Sequence, residues 1–89
     1  MVNKYNIKIL RFLRDNKTEW FSTQKIWRNI GDTKVSYSLI ALRLKYLREK
    51  DIVLFNKHRA DFKGTNALEN VYKYKTDALD ELIVNGNNV

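Results

Sequence analysis

The sequence has no cysteine and no proline, and it contains one histidine and three glycines among its 89 residues. Without cysteine there is no disulfide framework and no thiolate metal site. A single histidine, with no glycine-rich phosphate loop and no convincing pair of carboxylates, gives little support for catalysis or for a metal centre. We therefore expect neither enzymatic activity nor a cofactor.

Long apolar segments are also missing, because no run approaches the roughly 18 residues that a membrane-spanning helix needs. The first six residues lack the apolar core of a signal peptide, so we expect a cytoplasmic protein without a membrane partner. The length suits one domain over residues 1 to 89 and leaves little room for a deep enzyme cleft. These limits favour a binding module.

Charge of one sign dominates, with 17 Lys and Arg against 10 Asp and Glu, a net charge of +7. Residues 1 to 50 carry a net charge of +8, residues 51 to 75 carry +2, and residues 76 to 89 carry −3. A solubilising surface would mix the two signs throughout the chain. The basic body therefore predicts a polyanionic partner, and the alternative is a basic protein with no nucleic-acid partner.

Helical spacing of apolar residues recurs in three segments. It predicts a first helix over residues 3 to 16, a second over residues 22 to 30 and a third over residues 34 to 50. Ser22 or Thr23 suits the N-cap of the second helix. In the third helix one face is predicted to be core, and its members are Tyr37, at the margin, Ile40, Leu44 and Leu47.

Strand patterns lie between and after these helices. Residues 18 to 21 are too few for a helix and rich in strand formers, so we expect a short strand. Residues 52 to 55 are four consecutive apolar residues and predict a buried strand, followed by a long turn over 56 to 69. Residues 70 to 75 alternate as a second hairpin strand does. A short, acidic helix is expected over residues 77 to 84.

This order of elements, from about Tyr5 to Lys75, resembles the winged helix-turn-helix domain of bacterial and archaeal regulators. The run Ser22-Thr23-Gln24-Lys25-Ile26 is similar to the start of the family's second helix. The recognition helix and wing are matched by Ser36-Tyr37-Ser38-Leu39-Ile40, then Leu44, Leu47 and Ile52-Val53. Two features depart from the family: Asp51 stands where many relatives have glycine, and no proline punctuates the loops.

The resemblance implies an α+β, mainly α, fold: a three-helix core, a short strand after the first helix, a β-hairpin wing over residues 52 to 75 and a C-terminal helix. It also implies a transcription regulator that binds double-stranded DNA with the third helix in the major groove. On a helical wheel that helix offers a polar face, whose members are Lys34, Ser38, Ala41, Lys45 and Arg48. A groove-facing helix needs small residues at the bases and longer donors around them, although a merely solvated face would look similar.

Further DNA contacts are expected outside the recognition helix. The resemblance puts Tyr37 and Ser38 near the DNA, while Lys25 and Arg28 of the second helix would reach the backbone. The hairpin tip carries a group of basic residues that would contact phosphates or the minor groove, namely Lys57, Arg59 and Lys63. Arg59 is the preferred minor-groove contact, and the alternative is a mobile charged loop.

Two questions stay open in the sequence. A second apolar stripe of Leu39, Leu42 and Tyr46 is covered either by the domain itself or by a second subunit, and the C-terminal helix is the other candidate for a homodimer contact. The alternative function is a non-regulatory module for protein interaction or for single-stranded nucleic acid, which would stack bases on Tyr72 and Tyr74. Strand tyrosines more often cover the core, and this is the other expectation for the two residues. Trp20, Phe21 and Trp27 are expected to pack around the start of the second helix.

Overall fold

The computed structural model of the chain describes residues 3–30, 34–59 and 68–75. This part contains three helices and one three-stranded antiparallel sheet, an α+β arrangement compatible with a winged-helix-like fold. The elements in chain order are α1 (Lys4–Asp15), β1 (Phe21–Ser22), α2 (Thr23–Asn29), α3 (Tyr37–Glu49), β2 (Val53–Arg59) and β3 (Leu68–Tyr74). The predicted helix over residues 77 to 84 lies outside the described residues. Within the described ranges, every helix is too short or too polar to traverse a lipid bilayer.

Helix α1 begins where the Asn3 side chain accepts a hydrogen bond from the Tyr5 backbone N–H at 2.8 Å. This bond satisfies a donor that the first helical turn leaves unpaired. Its apolar face is buried in the core, through Ile9, Leu10 and Leu13. The same face also buries Asn6, a polar residue that the helical pattern did not single out.

Strand β1 covers Phe21–Ser22, so the prediction of a strand over residues 18 to 21 is wrong at its start. Residues 16 to 19 form a turn instead, in which the Glu19 N–H donates to the Asn16 carbonyl at 3.0 Å. Ser22 both ends the strand and caps α2, accepting from the Lys25 N–H at 3.3 Å. Phe21 packs on Phe12 of α1, with ring centroids 4.8 Å apart.

Helix α3 starts at Tyr37 because Ser36 is its N-cap, with Oγ accepting from the Leu39 N–H at 3.1 Å. The predicted start at Lys34 is therefore wrong by one turn. Its core face is confirmed, since Ile40, Leu44 and Leu47 are fully buried. Helical spacing alone was enough to identify these positions, because side chains three and four residues apart share a face.

The end of α3 is a left-handed turn at Asp51, which has φ 58°. The Asp51 N–H donates to the Arg48 carbonyl at 3.0 Å, and the Ile52 N–H donates to the Leu47 carbonyl at 2.9 Å. This pair of bonds defines the Schellman helix end, a motif that usually has glycine at the left-handed position. Asp51 thus occupies the position where the family resemblance led us to expect glycine.

The sheet has the order β1-β3-β2, with every pair antiparallel. Val53 of β2 lies opposite Tyr74, and the ladder continues to Arg59 opposite Leu68. The strands therefore extend into the segment 56 to 69, which the sequence predicted to be a turn. Leu54 is 41% exposed, so the prediction of four consecutive buried residues is also wrong. In an antiparallel sheet covered on one face, alternate side chains point away from the core.

Candidate nucleic-acid interface

The approach to α3 is fixed by a partly buried hydrogen bond between α2 and the segment before α3. Trp27 Nε1 donates to the Val35 carbonyl at 2.9 Å, and the Val35 side chain is only 4% exposed. This anchor places Lys34 in a turn before the helix, where it is exposed. Lys34 therefore does not belong to the helical face on which the wheel placed it, because its backbone is not helical.

The remaining predicted residues of α3 do share one side of the helix. Tyr37, Ser38 and Lys45 are exposed, and Ala41 is half-buried. Ser38, Ala41 and Lys45 follow one another at intervals of three and four residues, and Tyr37 directly precedes Ser38, so the four residues form one continuous surface. Small side chains at positions 38 and 41 allow another molecule to approach the backbone closely, and Lys45 adds a positive charge at the edge.

Arg48 completes this surface at the junction with the hairpin. Its guanidinium lies over the Phe55 ring of β2, 4.4 Å from the centroid, and the residue is half-buried. Stacking uses the flat face of the guanidinium and leaves its in-plane N–H groups available to a phosphate. The contact also restricts a long side chain before any ligand arrives, which lowers the entropy lost on binding.

Tyr37 occupies the N-terminal end of the same surface. It is 46% exposed, which resolves its ambiguous position on the helical wheel in favour of the surface. Its ring contacts Trp27 of α2 edge to face, with centroids 5.8 Å apart. Because Trp27 is itself held by the Val35 carbonyl, the Tyr37 ring has a fixed neighbour on one side.

Helix α2 carries Lys25 and Arg28, the two residues predicted to contact the DNA backbone, and both are exposed. Ile26, between them, is fully buried. Lys25 and Arg28 are one turn apart and share a face, whereas Ile26 faces the core, so the two basic side chains point away from the core. These two basic side chains thus line the outer edge of the helix that precedes α3.

The hairpin places its basic residues differently from the prediction of a charged tip. Lys57 is exposed within β2, directly opposite Asn70 of β3. Arg59 is the last residue of β2 and pairs with Leu68. Lys63 lies outside the described residues. The structure thus brings Lys57 to the side of the hairpin that faces the helices, since it shares its strand face with Val53 and Phe55.

An aromatic pair on the opposite face of the sheet was not anticipated. Trp20 and His58 have ring centroids 5.4 Å apart, and Lys73 Nζ lies 5.6 Å from the Trp20 centroid. Trp20 was predicted to pack near the second helix, but its ring partners are on β2 and β3. Only strand register could reveal this, because the three residues are distant in sequence and share a face by alternation.

The stripe of Leu39, Leu42 and Tyr46 is divided by the structure. Leu39 and Tyr46 pack partly against the core, whereas Leu42 is 58% exposed. Arg43 lies over the Tyr46 ring at 4.8 Å and donates from Nε to the Asn6 Oδ1 at 2.8 Å. The domain itself thus covers most of the stripe.

The buried phenol of Tyr72 joins α2, α3 and β3. Burial raises the pKa of Tyr72, and the nearby Arg48 guanidinium and hydrogen bonds with Thr23 and Asn70 lower it in part. The ring is 3% exposed and packs on Phe55 at 5.6 Å. Tyr72 therefore cannot offer its face to a base, and it covers the core, which is the alternative that the sequence favours for a strand tyrosine. Among residues 3–30, 34–59 and 68–75, no three acidic or histidine side chains come together as a metal site would require.

Comparison with known proteins gives a fold neighbour and no family assignment. No family model matches the chain. No curated protein matches it either. Among solved structures, the fold is similar to that of a possible transcriptional regulator from Methanosarcina mazei Go1, with a TM-score of 0.71 and 14% sequence identity. The match covers 98% of this chain and 72% of that one. At 14% identity the similarity concerns the fold alone.

Proposed function

We propose that this chain is a winged helix-turn-helix protein that binds double-stranded DNA sequence-specifically and regulates transcription. The observation that carries the proposal is the surface of α3, where Tyr37, Ser38 and Lys45 are exposed and Arg48 stacks on Phe55 of the β2-β3 hairpin. The excess of basic residues and the regulator-like fold of the structural neighbour support it. The two elements that would contact DNA thus lie side by side.

In this proposal α3 enters the major groove. Ser38 and Ala41 let the helix backbone approach the base edges, and Ser38 supplies a hydroxyl that can donate or accept. Lys45 and the stacked Arg48 neutralise phosphates on the flanks of the groove. Tyr37 approaches the same strand from the N-terminal end of α3. The small residues at the centre of this surface would contact the bases and determine sequence preference, and the cations at its edges would hold the helix on the duplex.

The other elements position the helix on the duplex. Lys25 and Arg28 of α2 reach the backbone before α3, and Lys34 adds a charge in the turn between the two helices. Lys57 contacts a phosphate along the hairpin, while Arg59 and Lys63 lie along the backbone or enter the adjacent minor groove. These contacts carry little sequence information and supply most of the salt-dependent affinity.

Partner, location and chemistry follow from the same proposal. The protein acts inside the cell, where its DNA is, and it performs no catalysis. A homodimer would use the C-terminal segment or the exposed Leu42 of the Leu39, Leu42 and Tyr46 stripe. The alternative of a single-stranded nucleic-acid or protein-interaction module is weaker, because Tyr72 is buried and only Tyr74 of the two tyrosines is partly accessible.

The test is binding to random duplex DNA over a salt series from roughly 50 to 200 mM, a range over which phosphate contacts lose orders of magnitude in affinity. Lys45→Ala should weaken binding to every duplex and reduce the slope of log affinity against log salt by about 1. Lys17→Ala is the matched control, because Lys17 is exposed in the turn after α1 and belongs to neither α3 nor the hairpin. Ser38→Ala should change the sequences selected from a random pool. Absence of duplex binding at low salt would sink the proposal.

A further inference from the structure

A cleft of about 320 Å³ opens between the start of α2, the start of α3 and the first half of β3. It was not foreseen from the sequence, because its walls come from three elements that meet only in the folded chain. Its lining residues are Ser22, Thr23, Gln24, Tyr37, Leu68, Glu69 and Asn70. The cleft adjoins the surface of α3 that we propose for DNA, since Tyr37 belongs to both.

The register of β3 decides which side chains face the cleft. Tyr72 pairs with Phe21 and Phe55 on the core face of the sheet, and Asn70 and Leu68 share that face because side chains alternate. Glu69 points to the opposite face, together with its cross-strand partner His58. Glu69 is among the residues that line the cleft, and this alternation directs its carboxylate away from the side chains of Leu68 and Asn70.

Apart from Glu69, the polar side chains that line the cleft are neutral. The Tyr72 phenol hydrogen-bonds with the side chains of Thr23 and Asn70, two residues that line the cleft. Its burial raises the pKa of Tyr72, so the phenol stays protonated at neutral pH and adds no negative charge. Gln24 and Tyr37 contribute an amide and a hydroxyl at the mouth. The cleft thus offers several neutral groups that can donate hydrogen bonds.

Positive charge lies around the cleft and not inside it. Lys57 is the direct cross-strand partner of Asn70 and shares its face of the hairpin, which puts their Cβ atoms within about 5.5 Å. Arg48 is close enough to Tyr72 to lower the pKa of its phenol. An apolar side chain completes the rim, because Leu68 is 65% exposed.

We propose that this cleft receives one phosphate of the DNA backbone together with its deoxyribose, so that Thr23, Gln24, Asn70 and Tyr37 contact the nucleotide and Leu68 covers the sugar. The inference rests on the proposed function, because α3 must bring the duplex to the cleft. Hydroxyl and amide donors are frequent partners of backbone phosphates. Neutral donors do not attract a free anion from solution, but they bind a phosphate that docking has already placed there.

The inference is tested with two surface variants, Asn70→Ala and Gln24→Ala. Asn56→Ala is the matched control, because Asn56 is an exposed asparagine on the same hairpin whose alternation puts it on the opposite face. We expect each test variant to bind duplex DNA about tenfold more weakly at every salt concentration, since a hydrogen bond to a charged group is lost. The salt slope and the preferred sequence should not change, because no cation and no base contact is removed.

A second measurement locates the phosphate. In a duplex that the protein binds, single phosphates are replaced one at a time by neutral methylphosphonates. At one position the replacement should weaken binding of the unmodified protein to the duplex. At that position Asn70→Ala should cause little further loss of affinity. Equal additional loss from Asn70→Ala at every position would overturn the inference.

The failures of the two proposals are distinguishable. If the unmodified protein binds no duplex, the proposed function fails and the cleft loses its ligand with it. If the unmodified protein binds duplex and Asn70→Ala and Gln24→Ala bind it equally well, only the inference about the cleft fails.

Discussion

The left-handed residue at the end of α3 allows a prediction whose sign depends on the structure. Asp51 has φ 58°, a conformation that costs an L-residue with a Cβ roughly 1–2 kcal/mol and costs glycine almost nothing. Aspartate tolerates it better than most residues because its short side chain can hydrogen-bond locally. The turn matters for the proposed function, since it leads the chain from α3 into the hairpin.

The informative comparison is Asp51→Gly against Asp51→Ala. Both variants remove the ion pair between Lys75 Nζ and the Asp51 carboxylate, 3.0 Å long, so this loss cancels in the difference. Alanine keeps the conformational cost and glycine avoids it, but glycine loses about 0.5–1 kcal/mol more backbone entropy on folding. We expect Asp51→Gly to be the more stable variant by about 0.5–1 kcal/mol, or about 2–8 °C in Tm.

Urea denaturation and thermal melts followed by far-UV circular dichroism measure this difference directly. If α3 ended in the right-handed conformation instead, alanine would be the more stable residue by about 0.5–1 kcal/mol. A higher Tm for Asp51→Ala than for Asp51→Gly would therefore refute the left-handed conformation assigned to Asp51 at the end of α3.

Three further predictions concern the core and its polar contacts. Leu44→Ala should lower the free energy of unfolding by about 2–5 kcal/mol, whereas Leu42→Ala on the same helix should change it by less than about 0.5 kcal/mol, because Leu44 is fully buried and Leu42 is 58% exposed. Similar costs in denaturant titrations would contradict the burial of that face. Trp27→Phe should cost about 1 kcal/mol by leaving the Val35 carbonyl without its donor, and an unchanged midpoint would argue against that bond. Because burial raises the pKa of Tyr72, the folded state holds its phenolic proton more tightly, and stability should fall as pH rises above about 10; Tyr72→Phe should reduce this alkaline loss, and identical pH profiles would count against it.

Much of the fold could be predicted because the responsible patterns are local. The order of the elements and the core face of α3 follow from helical spacing, which depends only on residues within a few positions of one another. The cap of α2 was narrowed to Ser22 or Thr23 for the same reason, and the structure shows that it is Ser22. The start of α3 was missed because Lys34 fits the helical wheel, and nothing in the sequence reveals that Trp27 binds the Val35 carbonyl.

The candidate site was less predictable. Ser38, Ala41 and Lys45 could be identified from helical spacing, and the structure keeps them on one side of α3. The contact of Arg48 with Phe55 depends on how the hairpin returns to the helix. The cleft at Thr23 and Asn70 depends on strand register, which places residues far apart in sequence opposite each other.

The amino-acid sequence by itself determined the order of helices and strands, the apolar face of each helix and the excess of positive charge. Each of these depends on composition or on short-range periodicity. Tertiary structure alone decided which face of the hairpin is covered, where α3 begins, and which neutral donors surround Tyr72. The physical reason is the range of the interactions: the Asn6–Arg43 hydrogen bond joins residues 37 positions apart, and no local pattern encodes such a pairing. The proposed DNA-binding surface combines both kinds of information, a helix face set by local spacing and a neighbouring cleft set by long-range packing.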